Sequence, residues 1–188
     1  MKLRFNFDFR SAFANNAGGR LLVGVKDNGV IAGIRNDEDI YLLQQAAEMC
    51  CRPSQVLHIT PFSCESGLVV VRAEIAAARH KPVKALDTDG HWRAYFRVKD
   101  ENITAPPLMV KAWGKAASST GNLFSIGEVE NEMLSLISSF GKLTIDEFYT
   151  TVKMTRNRAE EVMAGLIAAG GVNLRYIDGA FQLVVGED

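Results

Sequence analysis

The segment SAFANNAGGRLLVGVKDNGVIAG, Ser11–Gly33, combines an Ala/Phe run, a glycine pair, a short apolar run and a second turn. Gly18-Gly19 predicts the end of a helix, because glycine adopts the backbone conformations that end helices without a Cβ clash. Residues 20–27 and 30–35 predict two strands, and Asn28-Gly29 between them is a strong hairpin signal. The positions predicted to be structural are Asn15, Gly18, Gly19, Gly24, Asn28, Gly29 and Gly33.

A phosphate-binding loop is the other role that this glycine pair could have. The Walker spacing requires two glycines five positions apart followed by Lys and Ser or Thr, and no such run occurs in the chain. The glycines also precede a predicted strand, whereas phosphate loops precede a helix N-terminus. We therefore interpret Gly18-Gly19 as a structural turn.

The surrounding sequence predicts an α+β domain over residues 1–114. Apolar spacing predicts a helix over residues 38–52, ended by Pro53, and a short helix near Pro107–Trp113. Further strands are predicted near Val56–Ile59, Leu68–Ile75 and Trp92–Val98, giving an antiparallel or mixed sheet.

Residues 115–122 are small and polar and predict a linker to a second domain, residues 123–188. Three helices are expected there, over residues 126–140, 144–152 and 155–169, with caps at Ser125, Thr144 and Thr155. A hairpin with an Asp178-Gly179 turn follows. Three helices and a β-ribbon are the order of a winged helix-turn-helix.

Composition is that of an ordinary globular protein, with 47% hydrophobic and 23% charged residues and a net charge of -1. Residues 1–118 hold 16 Lys and Arg against 12 Asp and Glu, and residues 119–188 hold 5 against 10. Three cysteines without C-x-x-C spacing support neither a zinc site nor a disulfide framework. No signal peptide or membrane-spanning run is predicted, so we expect a cytoplasmic protein.

Catalytic, metal and cofactor residues are not predicted. His58, His80 and His91 are scattered, and no nucleophile motif occurs. The acids Asp8, Asp27, Glu74, Asp87 and Asp89 do not assemble into the cluster that a metal-dependent nuclease needs.

Basic residues favour nucleic-acid binding instead. Strand 92–98 alternates, which places Arg93, Tyr95, Arg97 and Lys99 on a predicted outer face, with Lys81 nearby. A solvated sheet surface is the alternative interpretation. In the second domain, the third helix begins with Arg156, Asn157 and Arg158, where a recognition helix contacts DNA, and Arg175 lies in the ribbon. Glu160 and Glu161 follow at once, so a packing or dimerisation role is equally compatible.

The segment AFANNAGGRLLVGVKDNGVIAG resembles the AlbA-like domain of bacterial Schlafen-type DNA-binding proteins. His80–Val83 and Tyr95–Ala105 resemble two later pieces of that family. The resemblance, over residues 8–113, implies a Schlafen AlbA-like domain that binds nucleic acid, and an attached winged helix is familiar in such regulators. Animal relatives cleave RNA with clustered acids.

The start of the chain departs from the family pattern. The family shows an acid-Phe-basic strand, a helix of about three turns and then the A-F-A-N block. Here Asp8-Phe9-Arg10 is matched to that strand and Ser11 follows directly, so the intervening helix is predicted to be missing. Any acid supplied by that helix would be lost, which disfavours nuclease activity.

The resemblance and the basic residues together predict a DNA-binding transcriptional regulator that forms a homo-oligomer and has no membrane partner, with RNA as the alternative nucleic acid. The alternatives are a metal-dependent nuclease of RNA or DNA and a non-catalytic module for protein interaction. Charge reversal at Arg97 and Lys99 is expected to weaken binding to all sequences.

Overall fold

The computed structural model describes residues 8–34, 40, 41, 44, 49–118 and 126–186. Contacts divide the chain into two compact units, Met1–Thr104 and Ala105–Asp188. The predicted first domain extended to residue 114, so residues 105–114 lie in the second unit of the structure.

The described residues of unit 1 form a helix over residues 8–15 and two antiparallel sheets, and the separate described residues 40, 41, 44 and 49 are also helical. Its elements are α1 (Asp8–Asn15), β1 (Gly19–Val23), β2 (Cys51–Arg52), β3 (Leu57–Ser63), β4 (Val69–Ile75), β5 (Lys84–Leu86), β6 (Trp92–Val98) and β7 (Glu101–Thr104). The strand orders are β1-β4-β3 and β2-β5-β6-β7, and every pair is antiparallel. Pro61 lies on β3, an edge strand of its sheet, which is the kind of strand in which proline is tolerated.

Helix α1 packs on β6 and forms the centre of the core of unit 1. The buried members of that core come from α1 and from both sheets: Phe9, Ala12, Phe13, Ala14, Cys51, Ile75, Val83, Ala85 and Tyr95. Arg10 is also completely buried, and burial lowers the pKa of its guanidinium.

Of two predictions for the start of unit 1, one is wrong and the other is confirmed only in part. Asp8-Phe9-Arg10 is the first described turn of α1 and not a strand, because Phe9 and Phe13 are four residues apart and pack on one helix face. The predicted hairpin is reduced to one bridge, Val25 to Ile31, since Gly24 has φ +95° and bends the chain out of β1. Residue 35, at the end of the second predicted strand, lies outside the described residues.

The predicted helix over residues 38–52 lies mostly outside the described residues, but residues 40, 41, 44 and 49, which are described, are helical. Its last two residues, Cys51 and Arg52, form β2 and pair with Ala85 and Lys84 of β5. Cys51 is buried in the core, which a strand position next to α1 explains.

The described residues of unit 2 form four helices and a three-stranded sheet. The elements are α2 (Pro107–Ala116), α3 (Glu128–Phe140), β8 (Leu143–Thr144), α4 (Ile145–Thr151), α5 (Arg156–Ala168), β9 (Val172–Ile177) and β10 (Ala180–Val185). The sheet order is β8-β10-β9. Its core is formed by apolar residues from all four helices and the sheet, including Leu108, Met133, Phe148, Met163 and Leu183.

N-terminal caps were predicted for three helices of unit 2. At Thr144 the capping box is confirmed: its Oγ1 accepts from Glu147 N, and Glu147 Oε2 accepts from Thr144 N at 2.8 Å. Helix α3 begins at Glu128 after Gly127, whose N–H donates to Glu130 Oε2 at 3.0 Å. The cap predicted at Ser125 lies outside the described residues. Thr155 precedes α5 without a side-chain capping bond.

The hairpin that closes unit 2 follows the sequence prediction. Asp178 and Gly179 both have positive φ, 50° and 84°, as a two-residue type I′ turn requires. Strands β9 and β10 pair in register from Val172 to Ile177.

Candidate nucleic-acid interface

Two polar side chains of α1 connect the helix to the sheet that carries the predicted basic residues. Asn15 Nδ2 donates to Val83 O and Tyr95 O, both at 2.9 Å, and Asn15 Oδ1 accepts from Val83 N at 2.8 Å. Ser11 Oγ donates to Val83 O at 2.7 Å and accepts from Tyr95 N at 2.8 Å. Ser11 and Asn15 are one turn apart on α1, so together they hold β6 and the residue before β5 at a fixed distance.

The glycine pair makes the close turn that this packing needs. Gly18 has φ +82°, and its N–H donates to Phe13 O at 2.9 Å, which ends α1. A Cβ at Gly18 would lie 2.7 Å from Ile75 O, and one at Gly19 would lie 2.5 Å from the Phe13 ring. Both positions therefore exclude larger residues on steric grounds.

The other predicted turn residues lie in the loop after β1. Gly24 O accepts from Gly33 N at 2.9 Å, and a Cβ at Gly24 would lie 2.9 Å from Gly33 C. Gly29 has φ +82°, but Asn28 does not have a positive φ, because the described non-glycine residues with positive φ are Lys99 and Asp178. Asn28 therefore does not form the predicted turn with two positive φ values, and its Oδ1 accepts from Val30 N at 3.1 Å.

The prediction of a basic, aromatic outer face on β6 is wrong. Tyr95 is buried in the core of unit 1, so the face that carries Arg93, Tyr95 and Arg97 is the face towards α1. The opposite face carries Trp92, which is half-buried and lies under the guanidinium of Arg52 at 4.1 Å. Ala94 on this opposite face is buried as well, so neither face of β6 is fully exposed, and the position of α1 decides which face joins the core of unit 1.

Arg93 is neutralised by two carboxylates. It forms ion pairs with Asp87 and, at 2.5 Å, with Asp89, and the Tyr95 hydroxyl donates to Asp87 Oδ2 at 2.9 Å. Backbone hydrogen bonds, followed by contacts that include Arg93, hold the pKa values of Asp87 and Asp89 below their usual range. Burial raises the pKa of Tyr95 to about 12. A phosphate at Arg93 would have to displace these carboxylates.

The other three predicted basic residues of unit 1 differ in exposure. Arg97 stacks over Phe13 at 5.4 Å, and its Nη1 donates to Asn102 Oδ1 at 2.7 Å. Lys81 is half-buried, with Nζ 3.5 Å from Asn16 O, and burial lowers its pKa. Lys99 is exposed in the turn between β6 and β7, with φ 51°.

In unit 2 the predicted residues lie together at the start of α5. Arg156, Asn157 and Arg158 are consecutive and all exposed, and Arg156 stacks over the Tyr149 ring at 4.5 Å. Arg175 is exposed on β9. Tyr149 was not predicted, because it lies on α4 and meets Arg156 of α5 only through the packing of the two helices.

The acids that follow this basic turn have partners of their own. Glu161 pairs with Lys111 Nζ at 2.8 Å and with Lys115, and Glu160 lies 3.6 Å from Lys111 Nζ. Both lysines are on α2, one turn apart. No local sequence pattern indicates this contact, because about 50 residues separate the partners along the chain.

Replacing Glu161 with glutamine should remove part of the acid sensitivity of unit 2. The two lysines lower the pKa of Glu161 to about 2, below its ordinary value of 4.5. Because the folded pKa is lower than the unfolded one, this stabilisation is present above about pH 4.5 and is lost as the pH falls towards 2. Glu161 is nearly half exposed, so solvent screening limits the contribution to at most about 1 kcal/mol.

The measurement is urea unfolding followed by Trp113 fluorescence in a Trp92→Phe background. The difference in unfolding free energy between wild type and Glu161→Gln should shrink between neutral pH and about pH 3. A difference that stays constant with pH would contradict this assignment.

The described residues contain no group of three or more His, Cys, Asp or Glu side chains arranged to hold a metal ion. None of the helices in the described part of the chain is both long and apolar enough to cross a bilayer.

Comparison with known proteins identifies the family. A family model described as Schlafen, AlbA_2 matches residues 10–106, slightly more than half of the chain. This chain belongs to the Schlafen AlbA_2 family. The match begins within α1 and ends just before α2, so the Schlafen AlbA_2 region coincides with unit 1. Membership is consistent with nucleic-acid binding at a general level.

Other comparisons add little to the family assignment. A crystal structure of the DIP2311 protein from Corynebacterium diphtheriae is similar, with 19% identity and a TM-score of 0.44. The alignment covers 95% of this Schlafen AlbA_2 protein but 28% of that chain. No curated protein matches.

Proposed function

We propose that this Schlafen AlbA_2 protein is a DNA-binding transcriptional regulator whose main DNA contact is the first turn of α5. The observation that carries the proposal is the exposure of Arg156, Asn157 and Arg158 in succession, next to acids that are already paired with lysines. Arginine and asparagine are suited to contacts with base edges, and arginine also binds phosphates.

The order of elements in unit 2 supports this proposal. Helices α3, α4 and α5 are followed by the β9–β10 hairpin, as in a winged helix-turn-helix. In such a module the third helix enters the major groove, and Arg175 of the hairpin would contact the phosphate backbone. The net charge of the unit is negative, but Glu128, Glu130 and Glu132 lie on or near the first turns of α3 rather than on α5.

Unit 1 has a secondary role in this proposal. Lys99 is its best-exposed predicted contact, whereas Arg93 and Arg97 are engaged by side chains of their own unit. We propose that Lys99 and Lys81 contribute phosphate contacts that carry no sequence information. A homo-oligomer belongs to the same proposal, since two copies would read two half-sites.

The test is the double variant Arg156→Gln/Arg158→Gln in the full chain. Binding to a short mixed-sequence DNA duplex is measured by fluorescence anisotropy over a series of salt concentrations. Loss of two phosphate-neutralising groups should weaken binding at least about tenfold at low salt and reduce the slope of log K against log salt by about two. The charge-matched control is Lys26→Gln/Lys142→Gln, which changes two exposed lysines outside α5.

The control should bind like the wild type. Equal binding by the α5 variant and the wild type would overturn the assignment to α5. Absence of DNA binding even at low salt would favour the protein-interaction alternative, and cleavage of the duplex in the presence of Mg²⁺ or Mn²⁺ would favour the nuclease.

A further inference from the structure

The contact between α2 and α5 joins a helix outside the family region to the proposed DNA-contacting helix. Leu108 and Ala112 of α2 are buried in the core of unit 2 together with Ala159, Val162 and Met163 of α5. Lys111 and Lys115 lie beside this apolar contact and pair with Glu160 and Glu161. The two lysines are therefore presented to the two glutamates by packed helices rather than by mobile loops.

Glu160 has another partner within reach along its own helix. It follows Arg156 by four residues, a spacing at which opposite charges on a helix commonly pair. In the structure Arg156 instead stacks over Tyr149, and the Glu160 carboxylate faces Lys111. Tyr149 interacts electrostatically with Glu160, Arg156 and Lys111, so all four groups belong to one neighbourhood.

The consequence for a bound phosphate is electrostatic. Two carboxylates within a turn or so of the proposed contact residues would repel a phosphate, and Glu160 would compete with it for Arg156. Lysine ammonium groups at 2.8 Å and 3.6 Å from these carboxylates oppose both effects.

We propose that Lys111 and Lys115 are positioning residues of the DNA interface, which hold Glu160 and Glu161 away from Arg156, Arg158 and the phosphate backbone. This inference rests on the proposed function. It assigns α2, which begins at Pro107 directly after the Schlafen AlbA_2 match, to the DNA-binding unit.

The experiment compares three variants of the full chain: Lys111→Gln/Lys115→Gln, Glu160→Gln/Glu161→Gln, and the combination of all four changes. The lysine variant should bind the DNA duplex about three- to tenfold more weakly at low salt, because its two carboxylates are then exposed to the phosphates. The glutamate variant should bind at least as well as the wild type. The four-fold variant has the net charge of the wild type and should recover its affinity and its salt slope.

The salt slope separates positioning from direct contact. If the lysines themselves bound phosphates, the four-fold variant would stay weak and its slope would fall by about two. That outcome would overturn the inference, as would unchanged binding by the lysine variant or weakened binding by the glutamate variant. Circular dichroism checks that α2 remains folded in the lysine variant. If that variant has lost helix, the DNA binding of the glutamate and four-fold variants tests the inference.

Failure of this inference is distinguishable from failure of the proposed function. If Arg156→Gln/Arg158→Gln binds like the wild type, the proposed function fails and this inference fails with it. If that variant loses binding while the lysine variant does not, only the role of Lys111 and Lys115 is wrong.

Discussion

Replacing Asn15 with leucine should destabilise unit 1 by about 3–5 kcal/mol, a large part of the stability of an ordinary domain. The side chain is buried and makes hydrogen bonds to Val83 N, Val83 O and Tyr95 O. Leucine fills a similar volume, but it leaves Val83 N and Tyr95 O without their Asn15 partners inside the core. Each buried polar group left unsatisfied costs about 1–3 kcal/mol.

The measurement is urea unfolding followed by Trp92 fluorescence in a Trp113→Phe background, which reports on unit 1. Asn16→Leu is the matched control, because Asn16 is half-buried and its Nδ2 makes one hydrogen bond, to Arg97 O at 2.8 Å. The control should lose about 1 kcal/mol. Equal losses of unfolding free energy for the two variants would show that the Asn15 hydrogen bonds to Val83 and Tyr95 stabilise unit 1 no more than the single Asn16 hydrogen bond does.

Replacing Gly18 with alanine should also destabilise unit 1 strongly, by at least about 3 kcal/mol. Gly18 has φ +82°, and the new Cβ would lie 2.7 Å from Ile75 O and 3.0 Å from Ala77 N. Both neighbours are backbone atoms, at or just after the end of β4, so they cannot move aside as a side chain can. Relief would require the turn between α1 and β1 to move away from the end of β4.

The variant Gly67→Ala separates the cost of the positive φ from the cost of the steric clash. Gly67 has nearly the same φ, +79°, and a Cβ there would have no atom within 4 Å. That control should lose only about 1–2 kcal/mol, the cost of the left-handed conformation for alanine. The same urea experiment applies, and a Gly18 variant no less stable than the Gly67 variant would contradict the close approach to β4.

Local signals predicted most of the regular structure correctly. Strand β6 has the predicted bounds, Trp92–Val98, and the Asp178-Gly179 turn has the two positive φ values that its residues favour. Helix α2 is confirmed and extends three residues beyond the predicted Trp113. In these segments the determining interactions lie within a few residues of one another, so periodicity and turn chemistry are sufficient.

The exposure of the predicted binding residues was harder to predict from the sequence. Arg156, Asn157 and Arg158 are exposed as their position at a helix start suggested, whereas Tyr95 is a core residue. An alternating strand has two different faces, but its sequence does not state which one a helix covers. Short strands β2, β5 and β7 were not predicted either, because they form through pairing with β6 and with one another.

By itself, the sequence determined that a helix ends at Gly18, that a strand follows, and that three helices and a hairpin close the chain. These features depend on glycine conformation, capping and apolar spacing, which are local properties. The tertiary structure alone decided that α1 covers the Arg93 side of β6, and that Lys111 and Lys115 neutralise Glu160 and Glu161. Those outcomes depend on contacts between residues far apart in the chain, which no local pattern contains.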